Sequence, residues 1–253
     1  MSEPTAVVRL GHLYPAEMNI YADRGNIAVL ARRLEWRGLA LEVTEIGPGR
    51  AIEPGAHDLY YLGGGQDRDQ AVVAEDLVSV KADGLRAAVA EGAAMLCVCG
   101  GYQLAGHGYT GVDGARMPGV GLLDLDTVAG STRLVGDLVI AAELGGETHE
   151  VVGFENHAGR TRLGPGARPL GRVVHGHGNN GDDGVEGGVQ GRVVGTYLHG
   201  PLLPKNPWLA DRLLEWAREH RTGAVTRLSP LDDTLEDAAR AVAADRAANH
   251  RDR

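Results

Sequence analysis

The first half of the chain alternates short apolar runs with longer stretches in which apolar residues recur every three or four positions. Short apolar runs predict buried strands, and the longer spacing predicts helices with one face in the core. The strands predicted from such runs are residues 6–14, 58–64 and 94–98, and residues 39–46 are predicted as a strand from their alternation of apolar and polar positions. The predicted helices are residues 26–37 with Asn26 as N-cap, about Ala71 to Glu91, and the short GYQLAGH at 101–107. This alternation predicts an α/β fold with a mainly parallel sheet and helices on both faces.

The second half is less regular. Its strand-like runs are VGLLDLDTV (120–128), RLVGDLVIAAEL (133–144), THEVVGFEN (148–156) and GRVVGTYLH (191–199). Few helical stretches separate them, so we expect a partly antiparallel extension of the same sheet. Two helices should follow, 206–220 with Pro207 near its start and 231–248, and the tail NHRDR should fray. With neither a repeat nor a Pro/Ser-rich linker, residues 1–253 are predicted to form one domain.

Composition and charge exclude several classes of protein. The formal charge is −9, which disfavours a general nucleic-acid surface and binding to anionic membranes. No apolar run approaches the roughly 18 residues that a membrane span needs. The start, MSEPTAVVRL, does not have the pattern of a signal peptide, and two cysteines make no disulfide framework. We therefore expect a cytoplasmic protein.

The two cysteines lie together in AMLCVCGGYQLAG, residues 94–106. An apolar strand leads into Cys99, two glycines follow, and then a short helix. This strand–turn–helix pattern is typical of a nucleophile elbow, in which a tight turn presents a reactive side chain at the carboxyl edge of the sheet. Helix-start N–H groups near Cys99 would favour its thiolate, and the N–H of Gly100 would face a developing oxyanion.

Cys97 has a different interpretation. It lies inside the strand, where a cysteine is most often a small buried hydrophobe. A metal site or a redox pair using both cysteines stays an alternative; its further ligands would be His175 and His177 in VVHGHGNNG. We expect no metal.

A cysteine nucleophile needs a base, and position along the chain separates the ten histidines. His199 ends a strand-like run that a Gly-Pro pair stops, which would place it at the same sheet edge as Cys99. His157 ends GFENH in a similar way. A second oxyanion donor could come from the glycines of YLGGGQD, residues 61–67, because that loop also follows a strand.

Together these stretches resemble class I (Triad-type) glutamine amidotransferases, whose fold is flavodoxin-like. Cys99, Gly101 and Gln103 match the family's Cys-x-Gly-x-Gln elbow, although Cys97 stands where glycine is usual. CGGYQ together with the upstream GGGQD resembles the CobB/CobQ branch. Within that branch LYPAEMNIYADRGNI, GFENHAGRT and GNNGDDG resemble the GatD-type glutaminase subunits of lipid II isoglutaminyl synthases.

The resemblance implies a mechanism. Cys99 would attack the side-chain amide of L-glutamine, and His199 would move the proton to the leaving ammonia. The implied oxyanion donors are Gly64, Gly65 and Gly100. Arg133 matches the family position that holds the α-carboxylate of glutamine, and Gln103 is assigned to the substrate site.

One departure concerns the acid that orients the histidine. Most class I enzymes have His-x-Glu, whereas here His199 is followed by Gly200 and Pro201. Glu155 is a candidate within the chain. A carboxylate from a partner is the other, and it would make the activity depend on assembly.

The sequence contains no G-x-x-x-x-G-K-[S/T] motif, so we expect no cofactor in this chain, with ATP and Mg²⁺ on a partner. The resemblance implies a heterodimer with a MurT-like, Mur-ligase-type subunit that amidates D-glutamate of lipid II to D-isoglutamine. The alternatives are an amidotransferase for a cobalamin-type acceptor and a free-standing γ-glutamyl cysteine hydrolase.

Overall fold

The computed structural model describes residues 6–18, 24–65 and 67–249. The strands are β1 (Val7–Leu13), β2 (Ala40–Ile46), β3 (Leu59–Leu62), β4 (Ala94–Val98), β5 (Gly108–Thr110), β6 (Arg116–Pro118), β7 (Leu125–Leu144), β8 (Glu147–Leu163), β9 (Gly171–His175), β10 (Val185–Glu186), β11 (Gly188–Gln190) and β12 (Val193–Thr196). The helices are α1 (Arg24–Glu35), α2 (Asp67–Asp76), α3 (Ala82–Ala90), α4 (Gly100–Ala105), α5 (Pro207–Thr222) and α6 (Thr234–Asn249). A π-helical turn, Leu77–Lys81, joins α2 to α3, and a 3-10 turn, Leu203–Lys205, precedes α5.

The first sheet contains the strands predicted for the first half of the chain. Its order is β11-β12-β4-β3-β1-β2, with β1 to β4 and β12 mutually parallel and β11 antiparallel to β12. The inner order β2-β1-β3-β4-β12 is the flavodoxin-like arrangement. The β1–α1–β2 and β3–α2–α3–β4 connections run in opposite directions along the sheet, and the right-handed rule for such connections assigns α1 and α2–α3 to opposite faces. The mixed α/β structure with its parallel sheet confirms the predicted fold class.

The core lies around β3 and β4, in which every residue is buried. A strand covered on both faces needs a continuous apolar run, and LYYL and AMLCV provide one. Helix α5 packs against the same strands through Leu209, Leu213 and Leu214, all with no exposed surface. Among the described residues, no helix combines the length and the apolar character that crossing a membrane requires.

The second half corrects the prediction of a simple sheet extension. Only β11 and β12 join the first sheet; the others form a second sheet, β10-β9-β7-β5-β6, in which β8 also pairs with β7. The predicted strands 120–128 and 133–144 are parts of one strand, β7, which begins at Leu125. Pairing with β8 resumes at Leu134 after a register shift, so the polar stretch 130–133 interrupts the ladder without ending the strand.

Helix α1 begins at Arg24, two residues before its predicted start, and α6 begins at Thr234, three residues after its predicted start. Asn26 is not an N-cap: it lies inside α1, with no exposed surface. Its Nδ2 donates to the Tyr61 hydroxyl at 3.1 Å, and its Oδ1 accepts from the Leu203 amide at 2.9 Å. Helix α6 packs on β7 and β8 by a narrow face that includes Ala247. The predicted fraying of the tail falls mostly on residues 250–253, which lie outside the described residues.

Candidate active site

Cys99 lies in a sharp turn at the carboxyl end of β4. Its backbone has φ 52° and ψ −108°, a conformation that residues other than glycine rarely adopt. The Cys99 amide donates to the Thr196 carbonyl at 2.8 Å, and α4 begins at the next residue. This is the strand–turn–helix geometry that the sequence predicts for a nucleophile elbow. Backbone strain of this kind is concentrated at functional sites.

The two glycines after Cys99 allow a very close approach of β3 and its loop. A Cβ at Gly101 would lie 2.4 Å from the Leu62 carbonyl oxygen, and the Gly101 amide donates to Gly63 at 3.0 Å. A Cβ at Gly100 would lie 3.1 Å from the Gly65 nitrogen. The structure therefore brings Gly65, a predicted oxyanion donor, beside Gly100, and Gly64 is adjacent to Gly65 in the same loop.

Cys97 is a buried hydrophobe, as expected. It has no exposed surface, against 6% for Cys99, and burial raises the pKa of its thiol. His175 lies on β9, and His177 contacts Glu155. Within the described ranges, no group of three or more His, Cys, Asp or Glu side chains is arranged to hold a metal ion.

His199 lies at the same sheet edge as Cys99. It follows β12, which pairs with β4 in the register Thr196↔Val98, so both side chains come just after neighbouring strand ends. Its backbone also pairs with Phe154 of β8. Burial first, and then electrostatic interactions with His157 and Arg133, lower the pKa of His199 to about 4, with Glu155 opposing them. The imidazole is therefore neutral at pH 7 and able to accept a proton.

Glu155 is buried close to His199, but its carboxylate is engaged by another loop. Its Oε1 accepts from the amide of His177 at 2.6 Å and lies 3.0 Å from the Nδ1 of that residue. Its Oε2 accepts from the Gly178 amide at 3.0 Å and lies 3.4 Å from His157 Nε2. These contacts hold the carboxylate toward residues 177–178. Glu155 as the orienting acid stays a prediction.

Arg133 lies in the exposed segment of β7 where the register with β8 shifts. Its guanidinium donates to the side chain and the carbonyl of Asn156, at 2.8 and 2.7 Å. Its charge acts on His199, so the structure brings Arg133 toward the same edge as the predicted nucleophile and base. A guanidinium is suited to bidentate binding of a carboxylate. The assigned role stays a prediction.

Gln103 and Tyr197 belong to a buried network that joins α4 to the second sheet. Gln103 Nε2 donates to the Tyr197 hydroxyl at 3.2 Å, and that hydroxyl lies 2.7 Å from Thr161 Oγ1. The Tyr197 ring stacks on His157 with centroids 3.5 Å apart. His157 thus supports Tyr197, and its Nδ1 lies 2.9 Å from the Gly159 carbonyl oxygen. The part played by Tyr197 is not apparent from the sequence, because no motif contains it.

Comparisons with known proteins agree with this geometry. Residues 9–207 match the family described as the CobB/CobQ-like glutamine amidotransferase domain. The chain is 40% identical over 236 residues to the GatD subunit of the lipid II isoglutaminyl synthase (glutamine-hydrolyzing) of Staphylococcus aureus, across 93% of this chain and 94% of that protein. It is 36% identical over 229 residues to the subunit of the same name from Streptococcus pneumoniae, across 90% and 87%.

More distant relatives share only part of their length. The cobyric acid synthase of Pelotomaculum thermopropionicum is 35% identical over 202 residues, which cover 68% of this chain and 37% of that protein. Among solved structures, PurLQS from Thermotoga maritima aligns with a TM-score of 0.55 at 18% identity, covering 76% of this chain and 87% of that one. That likeness supports the fold alone. From the match over residues 9–207 and the identity to its relatives, the chain belongs to the CobB/CobQ-like glutamine amidotransferase family.

Proposed function

We propose that the chain is the glutaminase subunit of a lipid II isoglutaminyl synthase, and that it hydrolyses L-glutamine to glutamate and ammonia. The main support is the 40% identity to a GatD subunit, which extends over nearly the full length of both proteins. The elbow at Cys99, beside the glycine loop after β3 and the end of β12, agrees with that assignment.

In the proposed reaction, the Cys99 sulfur forms a bond to the side-chain carbonyl carbon of glutamine. His199 accepts the thiol proton and transfers it to the amide nitrogen, which leaves as ammonia when the C–N bond breaks. The N–H groups of Gly100 and of the Gly64–Gly65 loop stabilise the oxyanion. Water then cleaves the γ-glutamyl thioester, which releases glutamate and restores the thiol. Arg133 binds the α-carboxylate, and Gln103 supports the site through Tyr197.

The site also suggests that the subunit works best in a complex. A base whose pKa is lowered to about 4 binds the thiol proton weakly. The negative charge of Glu155 already raises that pKa but does not offset the burial, and its carboxylate is engaged by residues 177–178. A second carboxylate near the imidazole would raise the pKa of His199 further. We infer that a partner supplies the acid, so that hydrolysis accelerates on assembly.

The proposed partner is a MurT-like, ATP-dependent ligase that uses the ammonia. It would bind ATP and Mg²⁺ and amidate D-glutamate in the peptidoglycan stem of lipid II, with the heterodimer working in the cytoplasm. The relatives support this view, because the name they share is that of a subunit of such a synthase.

The test compares glutamate release by the purified chain alone and with a MurT-like subunit. We expect the rate to rise on mixing and to vanish in the complex that carries Cys99→Ala. Equal rates with and without the partner would contradict the two-subunit assignment and favour a free-standing hydrolase.

A second candidate is an amidotransferase that serves a cobalamin-type acceptor. The cobyric acid synthases favour it, at 35% identity over 68% of this chain. To separate the two functions, the chain is mixed with a lipid II-amidating ligase or with an enzyme that amidates a cobalamin-type acceptor. Only the true acceptor enzyme should consume the released ammonia.

A further inference from the structure

Gln70 of α2 extends its side chain to the glycine loop beside the elbow. It is 2% exposed, and its Nε2 donates to the Gly65 carbonyl at 3.2 Å. The same nitrogen lies 2.0 Å from where a Cβ on Gly100 would be, and Gln70 Cδ lies 2.9 Å from that point. The carboxamide therefore fills the space that only glycine leaves open at position 100.

Gly65 is enclosed on its other side as well. A Cβ there would lie 2.4 Å from Met18 Sδ and 3.3 Å from the Glu17 carbonyl oxygen. The segment after β1 thus presses on Gly65 from one direction, while Gln70 holds its carbonyl from another. Glycine has the largest backbone freedom of any residue, so a glycine loop without such contacts could turn its N–H groups away from the site.

Gln70 also has an unusual buried oxygen. Its Oε1 is buried without a hydrogen-bond partner in the described part of the chain. A buried acceptor without a donor costs about 1–3 kcal/mol, so it calls for an explanation beyond packing. The side chain is anchored by its nitrogen, beside the two glycines whose N–H groups are proposed to bind the oxyanion.

We propose that Gln70 is a positioning residue of the oxyanion hole. By holding the Gly65 carbonyl, it restricts the two dihedral angles through which the Gly65 N–H could turn away from Gly100. It acts on the stability of the tetrahedral intermediate and not on the thiol. This inference rests on the proposed glutaminase function.

The test uses Gln70→Met, which keeps the length of the side chain and removes the donor. With the ligase partner present, we expect kcat for glutamine to fall about 10- to 100-fold, since loss of a whole oxyanion donor costs about 10² to 10³. KM should change less than threefold. Alkylation of Cys99 by iodoacetamide, followed by mass spectrometry, should keep its wild-type rate because that displacement forms no oxyanion.

Gln190→Met is the matched control. Gln190 lies on β11, and its Oε1 accepts a hydrogen bond from the Asp124 amide at 2.8 Å. The variant loses one hydrogen bond between a glutamine side chain and the backbone outside the oxyanion hole, so kcat should stay within twofold of the wild-type value. Gln70→Glu gives a second variant that stays polar and places an acceptor against the Gly65 carbonyl; its kcat should also fall.

Three results separate the possibilities. Wild-type protein that hydrolyses no glutamine with its partner would contradict the proposed function. Active wild type with both Gln70 variants within twofold of its kcat would overturn the inference alone. A parallel loss of kcat and of iodoacetamide reactivity would also overturn it, because it would mean that Gln70 supports the elbow as a whole.

Discussion

At the scale of single residues, the two cysteines show how position in a strand determines chemistry. Cys97 faces the core inside β4, and burial raises the pKa of its thiol, so it stays protonated. Cys99 is two positions later, in a backbone conformation that costs about 1–3 kcal/mol. A fold that maintains such strain at a cysteine is expected to use that cysteine.

We expect Cys99→Ala to abolish glutamine hydrolysis, because the other cysteine of the sequence, Cys97, is sealed inside β4 and cannot form the thioester in its place. Cys97→Ala should keep most of the activity and lower the free energy of unfolding by about 1 kcal/mol, since it removes a buried sulfur. Activity assays with chemical denaturation check both. A folded but inactive Cys97→Ala protein would contradict the single-nucleophile interpretation.

At the scale of elements, the pattern of apolar residues predicted the first sheet well. Strands β1 to β4 were each found within two residues at either end, whereas β12 ends three residues before the end of the predicted run 191–199 and β11 was not predicted. The elbow was predictable because Cys-Gly-Gly follows the apolar strand β4 directly. The joined strand β7 was not, since a polar stretch such as 130–133 reads as a loop, and only pairing with β8 keeps it within one strand.

Site residues outside motifs were also beyond prediction. Gln70 belongs to the site because it lies against Gly100, 30 positions away. Tyr197 belongs to it through a hydrogen bond with Gln103, 94 positions away. The Asn26 error has a similar origin, because its hydrogen bonds to Tyr61 and Leu203 exist only after folding. Contacts between distant segments leave no local periodic pattern in a sequence.

The packing of the elbow against β3 leads to a prediction at this scale. Gly101→Ala would force a Cβ to 2.4 Å from the Leu62 carbonyl, and overpacking of this kind costs about 1–3 kcal/mol. Thermal unfolding and glutaminase assays should show lower stability and lost activity. Gly136→Ala on β7 is the control. Nothing lies within 4 Å of the Cβ that it adds, so thermal stability and glutaminase activity should both stay at wild-type values.

Strand β10 provides a prediction about pH. Glu186 has no exposed surface, and its Oε1 accepts from Thr196 Oγ1 and the Tyr197 amide, both at 2.7 Å. Burial, aided by the negative charge of Glu155, raises the pKa of Glu186 from 4.5 to about 7. The native state holds this proton across that interval and the unfolded chain does not, so the free energy of unfolding should fall as pH rises from 4.5 to 7.

Glu186→Gln provides the comparison for this pH dependence. It keeps an acceptor oxygen and removes the titrating group. The free energy of unfolding of the variant should therefore rise relative to that of the wild type as pH rises, by on the order of 3 kcal/mol. Denaturation at pH 5 and pH 7.5 measures the difference. Parallel pH curves for the two proteins would show that Glu186 is not responsible.

At the scale of the whole molecule, one buried arginine joins three distant segments. Arg33 of α1 is 1% exposed and binds Asp211 of α5 through Nε at 2.6 Å. It also binds Asp233, just before α6, at 2.5 Å. The network fixes the C-terminal segment to the first sheet's helices, while the Tyr197 hydroxyl joins the two sheets.

Arg33→Met should lower the free energy of unfolding by about 3 kcal/mol, because Asp233 loses its buried cation and Asp211 keeps only Arg37, at 2.6 Å. Its neighbour Arg32 offers a control, since it pairs with Glu35 where both side chains are more than half exposed. Arg32→Met should therefore change stability by less than about 0.5 kcal/mol. Equal losses in urea denaturation would contradict the role given to Arg33.

The register shift in the long hairpin has a practical consequence for engineering. Pairing runs through Ala129↔Gly159, lapses over residues 130–133, and resumes at Leu134↔His157. Substitutions between the pairs Ala129↔Gly159 and Leu134↔His157 would leave the flanking ladder intact while replacing the neighbours of Arg133. Libraries randomised at 131 and 132, with Arg133 kept, therefore offer a way to vary the surroundings of the proposed substrate-binding arginine while the flanking ladder stays paired.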